Sequence, residues 1–203
     1  MEDQRKVWNN IAKSWNEYRQ TIPPHVKDFI KRTHGKLLDL GCGSGRNLWK
    51  VRGQELYCVD FSSEMIKIAK ETAGKRKING KFFVMDVNKL EFKDNYFEGV
   101  LCFAVLHCIE SREARLQGLK EIYRVLKPGG EAFISTWGNK SPRLKNKGKE
   151  CFIPWTAKEN SKEMRYTYVY DLDEFEEDLK EVGFKINERW EDYNVNVLVE
   201  KPF

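Results

Sequence analysis

The chain lacks any apolar run of about 18 residues, the length that a membrane-spanning helix needs, so we predict no membrane association. Its first residues, MEDQRKVWNN, lack the apolar stretch of a signal peptide, and we therefore expect a cytoplasmic protein. Five cysteines form an odd set without a C-x-x-C pair, which argues against a disulfide framework and structural zinc. The three histidines have no second ligand at metal-binding spacing, so no metal site is predicted.

Positive charge is concentrated in one segment. Residues 138–165 hold eight basic and three acidic side chains, a surplus of five that equals the net charge of the whole 203-residue chain. Two interpretations stay open at this point. The segment is either a solvated loop or an arm that contacts phosphates, because clustered positive charge is typical of nucleic-acid binding.

The hydrophobic pattern changes between helical and strand periodicity along the chain, and no repeat or domain boundary interrupts it. We predict a single domain over residues 1–203, with two helices in 1–34 and a basic insertion at 138–165. Strands and helices in alternation favour a parallel sheet covered on both faces. The last two strands are too close in sequence for a crossover helix, so we expect them to pair antiparallel. The predicted strands are KLLDL, ELYCVD, KFFVMD, YFEGVLCFAV, EAFISTW, KINERW and VNVLVEK.

The segment LLDLGCGSGRNL carries the strongest chemical signal. Gly41, Gly43 and Gly45 follow the first strand, where the backbone must turn sharply and a ligand binds in open α/β sheets. A nicotinamide-binding fingerprint needs its third glycine at position 46, which is arginine here. The G-x-G-x-G spacing, two residues after Asp39, resembles the S-adenosyl-L-methionine (AdoMet) loop of class I methyltransferases.

Acidic residues also close the next two strands. By this resemblance, Asp39 would bind the AdoMet ammonium group, while Asp60, next to Phe61, would accept hydrogen bonds from the ribose. Asp86 would accept from the adenine amine, and the Val87 N–H would meet a ring nitrogen. Each acid alone could equally be a helix cap or turn residue. Three of them at successive strand ends after the glycine loop favour AdoMet binding.

Phe103 and Ala104 end the fourth strand, where the resemblance places the methionine part of AdoMet. The segment RVLKPGGEAFIST is also similar to this superfamily, so the likeness covers residues 33–137. It implies a Rossmann-like class I methyltransferase fold of the α/β class. The expected sheet has seven mostly parallel strands with an antiparallel last strand and helices on both faces. S-adenosyl-L-methionine is the implied cofactor.

Segments outside that region resemble a narrower group. AVLHCIESREAR, STWGNK, CFIPW and RYTYVYDLDEF are similar to the methyltransferases that esterify 5-carboxymethyluridine at the tRNA wobble position. The chain departs from that group at Cys108, where a second histidine is usual, and at residues 165–168, where R-Y-Y-H is usual. The resemblance implies that the chain binds the anticodon stem-loop of tRNA. It also implies a small zinc-ribbon activator protein, which would cover the third strand if that strand lies at the sheet edge.

Five residues are candidates for the acceptor site. Arg19 and Arg165 would hold a carboxylate or a neighbouring phosphate, and His107 would orient the acceptor near the transferred methyl group. Trp137 and Tyr166 would offer faces for an unstacked uracil. A carboxylate with a pKa of about 4 is ionised at neutral pH, so the reaction needs no general base. Each of the five also has a purely structural interpretation, as a core or surface residue.

Two other functions fit the same cofactor motifs. One is an AdoMet methyltransferase of small carboxylates or quinone-like molecules. Such an enzyme would need an apolar, closed cover over its site, whereas this insertion carries the whole charge surplus. The other is a non-catalytic AdoMet-binding subunit, against which the intact set of strand-end acids argues.

Overall fold

The computed structural model describes residues 3–156 and 162–203. Within them, no helix combines the length and apolar character that crossing a membrane requires. Lys158 and Glu159, part of the predicted basic insertion, lie outside the described residues. The elements are α1 (Gln4–Tyr18), α2 (Pro24–Arg32), β1 (Gly35–Leu40), β2 (Gln54–Asp60), α3 (Ser63–Arg76), β3 (Lys81–Val84), β4 (Phe97–Phe103), α4 (Arg112–Val125), β5 (Leu126–Trp137), β6 (Glu150–Pro154), β7 (Met164–Tyr168), α5 (Leu172–Val182), β8 (Lys185–Glu191) and β9 (Asn194–Glu200).

Seven strands form the central sheet, in the order β3-β2-β1-β4-β5-β9-β8. Neighbours from β3 to β5 are parallel, whereas β9 runs antiparallel to both β5 and β8. The predicted mostly parallel sheet with an antiparallel last strand is confirmed. The third strand lies at one edge, as the sequence analysis required for a partner there.

Helices cover both faces of the sheet, because side chains along each strand alternate between the two faces. Leu38 packs with α4 and α5 on one face, while Leu37 packs with α2 and α3 on the other. These two apolar layers fix the strands, and therefore fix the loops at their carboxyl ends. The predicted cover on both faces is confirmed.

The basic insertion supplies β6 and the start of β7, and these two strands form a second sheet. Helix α1 holds this hairpin through Gln4, which donates to the Met164 carbonyl (3.2 Å) and accepts from the Tyr166 N–H (2.9 Å). A short 3₁₀ turn at Pro142–Leu144 precedes the hairpin and is anchored by the buried Leu144. The N-terminal helix and the insertion therefore act as one structural unit.

Candidate active site

A cleft of about 1110 Å³, counting its open mouth, lies at the carboxyl ends of β1, β2, β3 and β4. This is the edge where open α/β sheets bind ligands. Of the predicted cofactor residues, the cleft is lined by Gly41, Gly43, Asp60, Phe61, Asp86, Val87, Phe103 and Ala104. The structure thus brings residues from four separate strand ends to one cavity.

The glycine loop is held in a conformation that requires glycine. Gly41 has a φ of +71°, and a Cβ there would lie 2.2 Å from Val105 Cγ2. Gly45 has a φ of +86° and does not line the cleft, so it shapes the loop. The loop is braced from β2, because the Gly43 N–H donates to Asp60 Oδ2 at 2.9 Å.

Three buried polar atoms beside the glycine loop have no hydrogen-bond partner within the described chain: Asp39 Oδ2, Ser44 Oγ and Asn47 Oδ1. Asp39 does not itself line the cleft, but Asn47 does and donates to Asp39 Oδ1 at 3.3 Å. Burial raises the pKa of Asp39 to about 7. Since buried polar groups are normally satisfied, these atoms fit a ligand that carries an ammonium group.

Arg46, Ser44 and Asn47 are cleft residues that sequence reasoning did not select. The Arg46 guanidinium lies 4.9 Å from the Phe103 ring centroid. Burial, followed by the nearby charge of Arg19, lowers the pKa of Arg46 to about 10. Their position within the glycine loop (Ser44) or directly after it (Arg46 and Asn47) was the available signal, since this turn is where open α/β sheets bind ligands.

Asp60 and Asp86 occupy different environments. Asp60 is buried, accepts from the Ser62 N–H (2.9 Å) as well as from the loop, and has a pKa raised to about 6 by burial. Asp86 is half-exposed, accepts from the Asn88 N–H (3.0 Å) and lies 3.7 Å from Arg5. Asp60 therefore serves the loop structurally in addition to facing the cleft, a dual use that spacing alone does not reveal.

Next to the cleft, four tryptophans surround the guanidinium of Arg165. Trp8 and Trp15 also line the cleft, so the two spaces adjoin. We call these four tryptophans with Arg165 the tryptophan cage. The distances from Arg165 Cζ to the ring centroids are 6.0 Å for Trp8, 5.7 Å for Trp15, 5.7 Å for Trp137 and 5.2 Å for Trp155.

Arg165 is only 4% exposed, and no described carboxylate lies within 4 Å of it. Its Nε has no hydrogen-bond partner among the described residues. Burial lowers the pKa of Arg165 to about 10, with smaller contributions from Arg143 and Arg19. A buried cation without a counter-ion is costly, and the aromatic faces offset only part of that cost. An anion beside Arg165 would therefore relieve the remaining cost.

His107 belongs to the wall of this cage. It is buried and stacked on Trp137, with ring centroids 4.8 Å apart and planes 13° apart. Burial, and then the charge of Arg165, lowers the pKa of His107 to about 3, and its Nδ1 has no partner in the described chain. His107 is thus neutral at physiological pH. The next residue, Cys108, is the one that lines the cleft.

Arg19 approaches the cage from outside, with its guanidinium 5.1 Å from the Trp15 ring centroid. Trp15 therefore contacts both Arg19 and Arg165. Burial, followed by the charge of Arg143, lowers the pKa of Arg19. The structure brings four of the five predicted acceptor residues together: Arg19, His107, Trp137 and Arg165.

The prediction that Tyr166 offers a stacking face is wrong. Successive residues of a strand point to opposite faces, so Arg165 and Tyr166 cannot both face the cage. Tyr166 is 4% exposed, packs in the core with α4 and donates its hydroxyl to the Glu110 carbonyl at 2.8 Å. The segment FIPW was also expected at the pocket, and its Trp155 does contact Arg165; Trp8 and Trp15, which sequence reasoning did not assign to the site, complete the aromatic wall.

The basic insertion is partly neutralised. Lys140 pairs with Glu191 at 2.6 Å, and Lys149 pairs with Asp171 at 3.0 Å. Within the described residues, the insertion's cations without a carboxylate partner are Arg143, Lys145, Lys147, Lys162 and Arg165. Fewer cations of the insertion are therefore unpaired than the sequence suggested. Two of them, Arg143 and Arg165, lie at the cage.

Comparisons with known proteins agree with this geometry. Residues 38–134 match a family described as "Methyltransferase domain". The chain is 31% identical over 161 residues to the tRNA (carboxymethyluridine(34)-5-O)-methyltransferase of Saccharomyces cerevisiae, covering 74% of this chain and 55% of that protein. The matched segment thus spans about half of this relative's length, and as little as 21% of another curated relative.

Two solved structures share the fold over nearly their full lengths. The PH0226 protein of Pyrococcus horikoshii superposes with a TM-score of 0.72 at 25% identity, covering 98% of this chain and 99% of that one. A complex of the Haloferax volcanii Trm112 methyltransferase activator with a methyltransferase contains a chain with a TM-score of 0.72, 17% identity and complete coverage of both chains. The predicted cofactor, S-adenosyl-L-methionine, is confirmed by the match to the methyltransferase domain. Residues 38–134 therefore carry the methyltransferase domain, and the chain has the fold of the class I S-adenosylmethionine-dependent methyltransferases.

Proposed function

We propose that this protein methylates tRNA, forming an ester on the carboxylate of a 5-carboxymethyl-type wobble uridine. The observation that carries the proposal is Arg165, a buried cation without a carboxylate partner in the described chain, held in an aromatic cage beside the cofactor cleft. An anionic group on a planar, unstacked base suits both parts of that cage. The yeast relative's name, together with the charge of the insertion, supports tRNA as the substrate.

We assign the cofactor contacts to the lining of the cleft. Asp39 and Asn47 would hold the ammonium group, and the loop of Gly41, Gly43 and Gly45 would pack against the amino-acid portion. Asp60 and Phe61 would face the ribose, Asp86 and Val87 the adenine, and Phe103 and Ala104 the methionine chain. When bound, S-adenosyl-L-methionine supplies an electrophilic methyl group on a sulfonium.

The protein's own contribution to the reaction is positioning. An acceptor carboxylate with a pKa of about 4 is already ionised, so it has no proton for a base to remove. His107, neutral with a pKa of about 3, is therefore not needed as a general base. Arg165 would fix the carboxylate by charge-assisted hydrogen bonds, while the tryptophans exclude water. Such alignment contributes up to roughly 7–11 kcal/mol in the best intramolecular cases.

A second candidate is a methyltransferase of small carboxylates. The observation in its favour is that Lys140 and Lys149 are engaged in ion pairs, which leaves fewer cations for an RNA backbone. The cage would hold any small planar carboxylate equally well. What favours RNA is that Arg143, Lys145 and Lys147 lie together, exposed and without carboxylate partners in the described residues.

We also propose a small zinc-ribbon activator as partner. Strand β3 is a sheet edge, and Val84 on it is 49% exposed. The Met85 N–H bonds to Asp60 on β2, so by alternation the Val84 N–H points away from the sheet and can pair with another strand. The Haloferax volcanii complex supports this partner. The five free cysteines fit a reducing compartment, and we place the protein in the cytoplasm.

The test is transfer of a labelled methyl group from S-adenosyl-L-methionine to total tRNA, with and without the activator, followed by nucleoside mass spectrometry. We expect label in a base-labile methyl ester of a wobble uridine, and its loss in Arg165→Gln. Arg52→Gln is the control, because Arg52 is an exposed turn residue outside both cleft and cage. If the protein labels small carboxylates in a parallel reaction but labels no nucleoside of total tRNA, the tRNA assignment is refuted.

A further inference from the structure

The surface just outside the tryptophan cage combines an exposed aromatic ring with two arginines. Tyr18 ends helix α1 and is 63% exposed, although its ring lies only 6.3 Å from that of Trp155 at an angle of 85°. Arg19 follows directly and contacts Trp15. Proteins that bind single-stranded nucleic acids use such an arrangement, in which the exposed ring stacks on a base and the neighbouring cations contact the backbone.

Arg143 completes this group from the basic insertion. It lies on the 3₁₀ turn whose next residue, Leu144, is buried beside Trp137, so the turn is fixed against the cage. The charge of Arg143 lowers the pKa of both Arg19 and Arg165, so its guanidinium is close to both. None of these three arginines has a carboxylate within 4 Å among the described residues.

Three converging cations repel one another unless an anion separates them. One carboxylate in the cage would neutralise Arg165 but would leave Arg19 and Arg143 uncompensated at the mouth. Lys145 and Lys147 are exposed like Arg143, but neither is a charge that affects the pKa of Arg19 or Arg165, and neither lies on the turn that Leu144 fixes beside Trp137. The local structure therefore distinguishes Arg19 and Arg143, which lie at the mouth of the cage, from the other exposed cations of the insertion.

We propose that Tyr18, Arg19 and Arg143 form a second subsite, which holds the nucleotide next to the modified one in single-stranded RNA. The two arginines bind its phosphodiester, and the exposed face of Tyr18 stacks on its base. We call these three residues the outer subsite. The inference rests on the proposed function, because it assumes an RNA acceptor whose modified base occupies the cage.

The test measures binding of a fluorescein-labelled single-stranded RNA heptamer by anisotropy between 50 and 200 mM salt, with the full chain and S-adenosylhomocysteine present. Arg143→Gln should weaken binding several-fold and reduce the slope of log affinity against log salt by about 0.7, the value for one lost phosphate contact. Tyr18→Ala should weaken binding about tenfold with an unchanged slope, because stacking releases no counter-ions.

Lys145→Gln and Lys147→Gln are the controls, since each removes one charge from the same insertion. Equal effects of Arg143→Gln and these controls, with no effect of Tyr18→Ala, would overturn the outer subsite. If the wild type still methylates tRNA in that case, the outer subsite is rejected and the proposed function is retained. If the wild type neither binds the heptamer nor methylates tRNA, both proposals fail. An unchanged S-adenosylhomocysteine affinity shows that each variant is folded.

Discussion

The pKa of Asp39 predicts how cofactor affinity depends on pH. Burial raises that pKa to about 7, so half of the free protein carries a neutral Asp39 at neutral pH. The ammonium group of the cofactor favours the ionised carboxylate. Binding should therefore displace a proton from Asp39 whenever the pH is near or below 7.

The magnitude follows from this single titration. For a free-state pKa of about 7, the ionised fraction falls by about tenfold between pH 8 and pH 6, which weakens binding by about 1.4 kcal/mol. Asp60, with a pKa of about 6, adds about a factor of two at the lower end of the range. At pH 7, binding should release about half a proton from Asp39.

Isothermal titration calorimetry with S-adenosylhomocysteine at pH 6, 7 and 8, in buffers of different ionisation enthalpy, measures both quantities. Asp39→Asn is the matched variant, because it keeps the shape of the side chain and removes the titration. Its affinity should be lower at pH 8, with most of the pH dependence gone. A wild-type affinity that is constant from pH 6 to 8, or an Asn variant that keeps the full dependence, would refute the reasoning.

The same group affects stability without ligand. Its folded-state pKa lies above the unfolded value of about 3.8, so the folded protein holds a proton that the unfolded chain loses as pH rises. Stability should therefore decrease between about pH 4 and pH 7, by at most about 4 kcal/mol from this group, and stay level above pH 7. Asp39→Asn should raise the melting temperature at pH 8 and leave it nearly unchanged at pH 4.

Further predictions concern other parts of the structure. The methyl-transfer rate should show no titration of His107 between pH 6 and 9, because its pKa is about 3; a rate profile with a step near pH 6.5 that His107→Asn removes would contradict this. Gly41→Ala should lower the free energy of unfolding by more than Gly53→Ala does, since both glycines have positive φ but only Gly41 meets a neighbour within 4 Å; denaturant titration compares them. Val84→Pro removes an outward N–H, so it should abolish co-purification with the activator while the melting temperature changes little. Arg165→Met should raise the melting temperature and abolish methyl transfer, because an apolar side chain suits the buried cage better than an unpaired charge.

The sequence predicted most of the residues that line the cleft, because their placement depends on local rules. In a parallel sheet the carboxyl ends of neighbouring strands share an edge, so Asp39, Asp60 and Asp86 could be placed together without coordinates. Their individual environments could not be predicted from the sequence. Whether a carboxylate braces a loop, as Asp60 does for Gly43, depends on turn geometry that a strand pattern does not specify.

The acceptor side was harder to predict because its parts come from distant segments. Trp8 and Trp15 belong to α1, Trp137 ends β5, and Trp155 follows β6, so no spacing rule links them. The prediction for Tyr166 was wrong for a reason that the sequence already contained. Tyr166 follows Arg165 along β7, so it must face the core when Arg165 faces the cage.

In the proposed methyl transfer to a carboxylate, the cage also explains how Arg165 can position the acceptor without a general base. Taking a guanidinium out of water costs several kcal/mol, and cation–π contacts with four rings, each worth about 0.5–2 kcal/mol, offset that cost without supplying a counter-charge. In the reaction that we propose, an anionic acceptor would relieve the remaining deficit, so we expect the site to favour a carboxylate over a neutral amide or hydroxyl of the same shape. His107, kept neutral by burial and by Arg165, adds no charge that would compete. In the proposed reaction, the preference for an ionised acceptor and the dispensability of a general base would therefore both follow from the same buried charge.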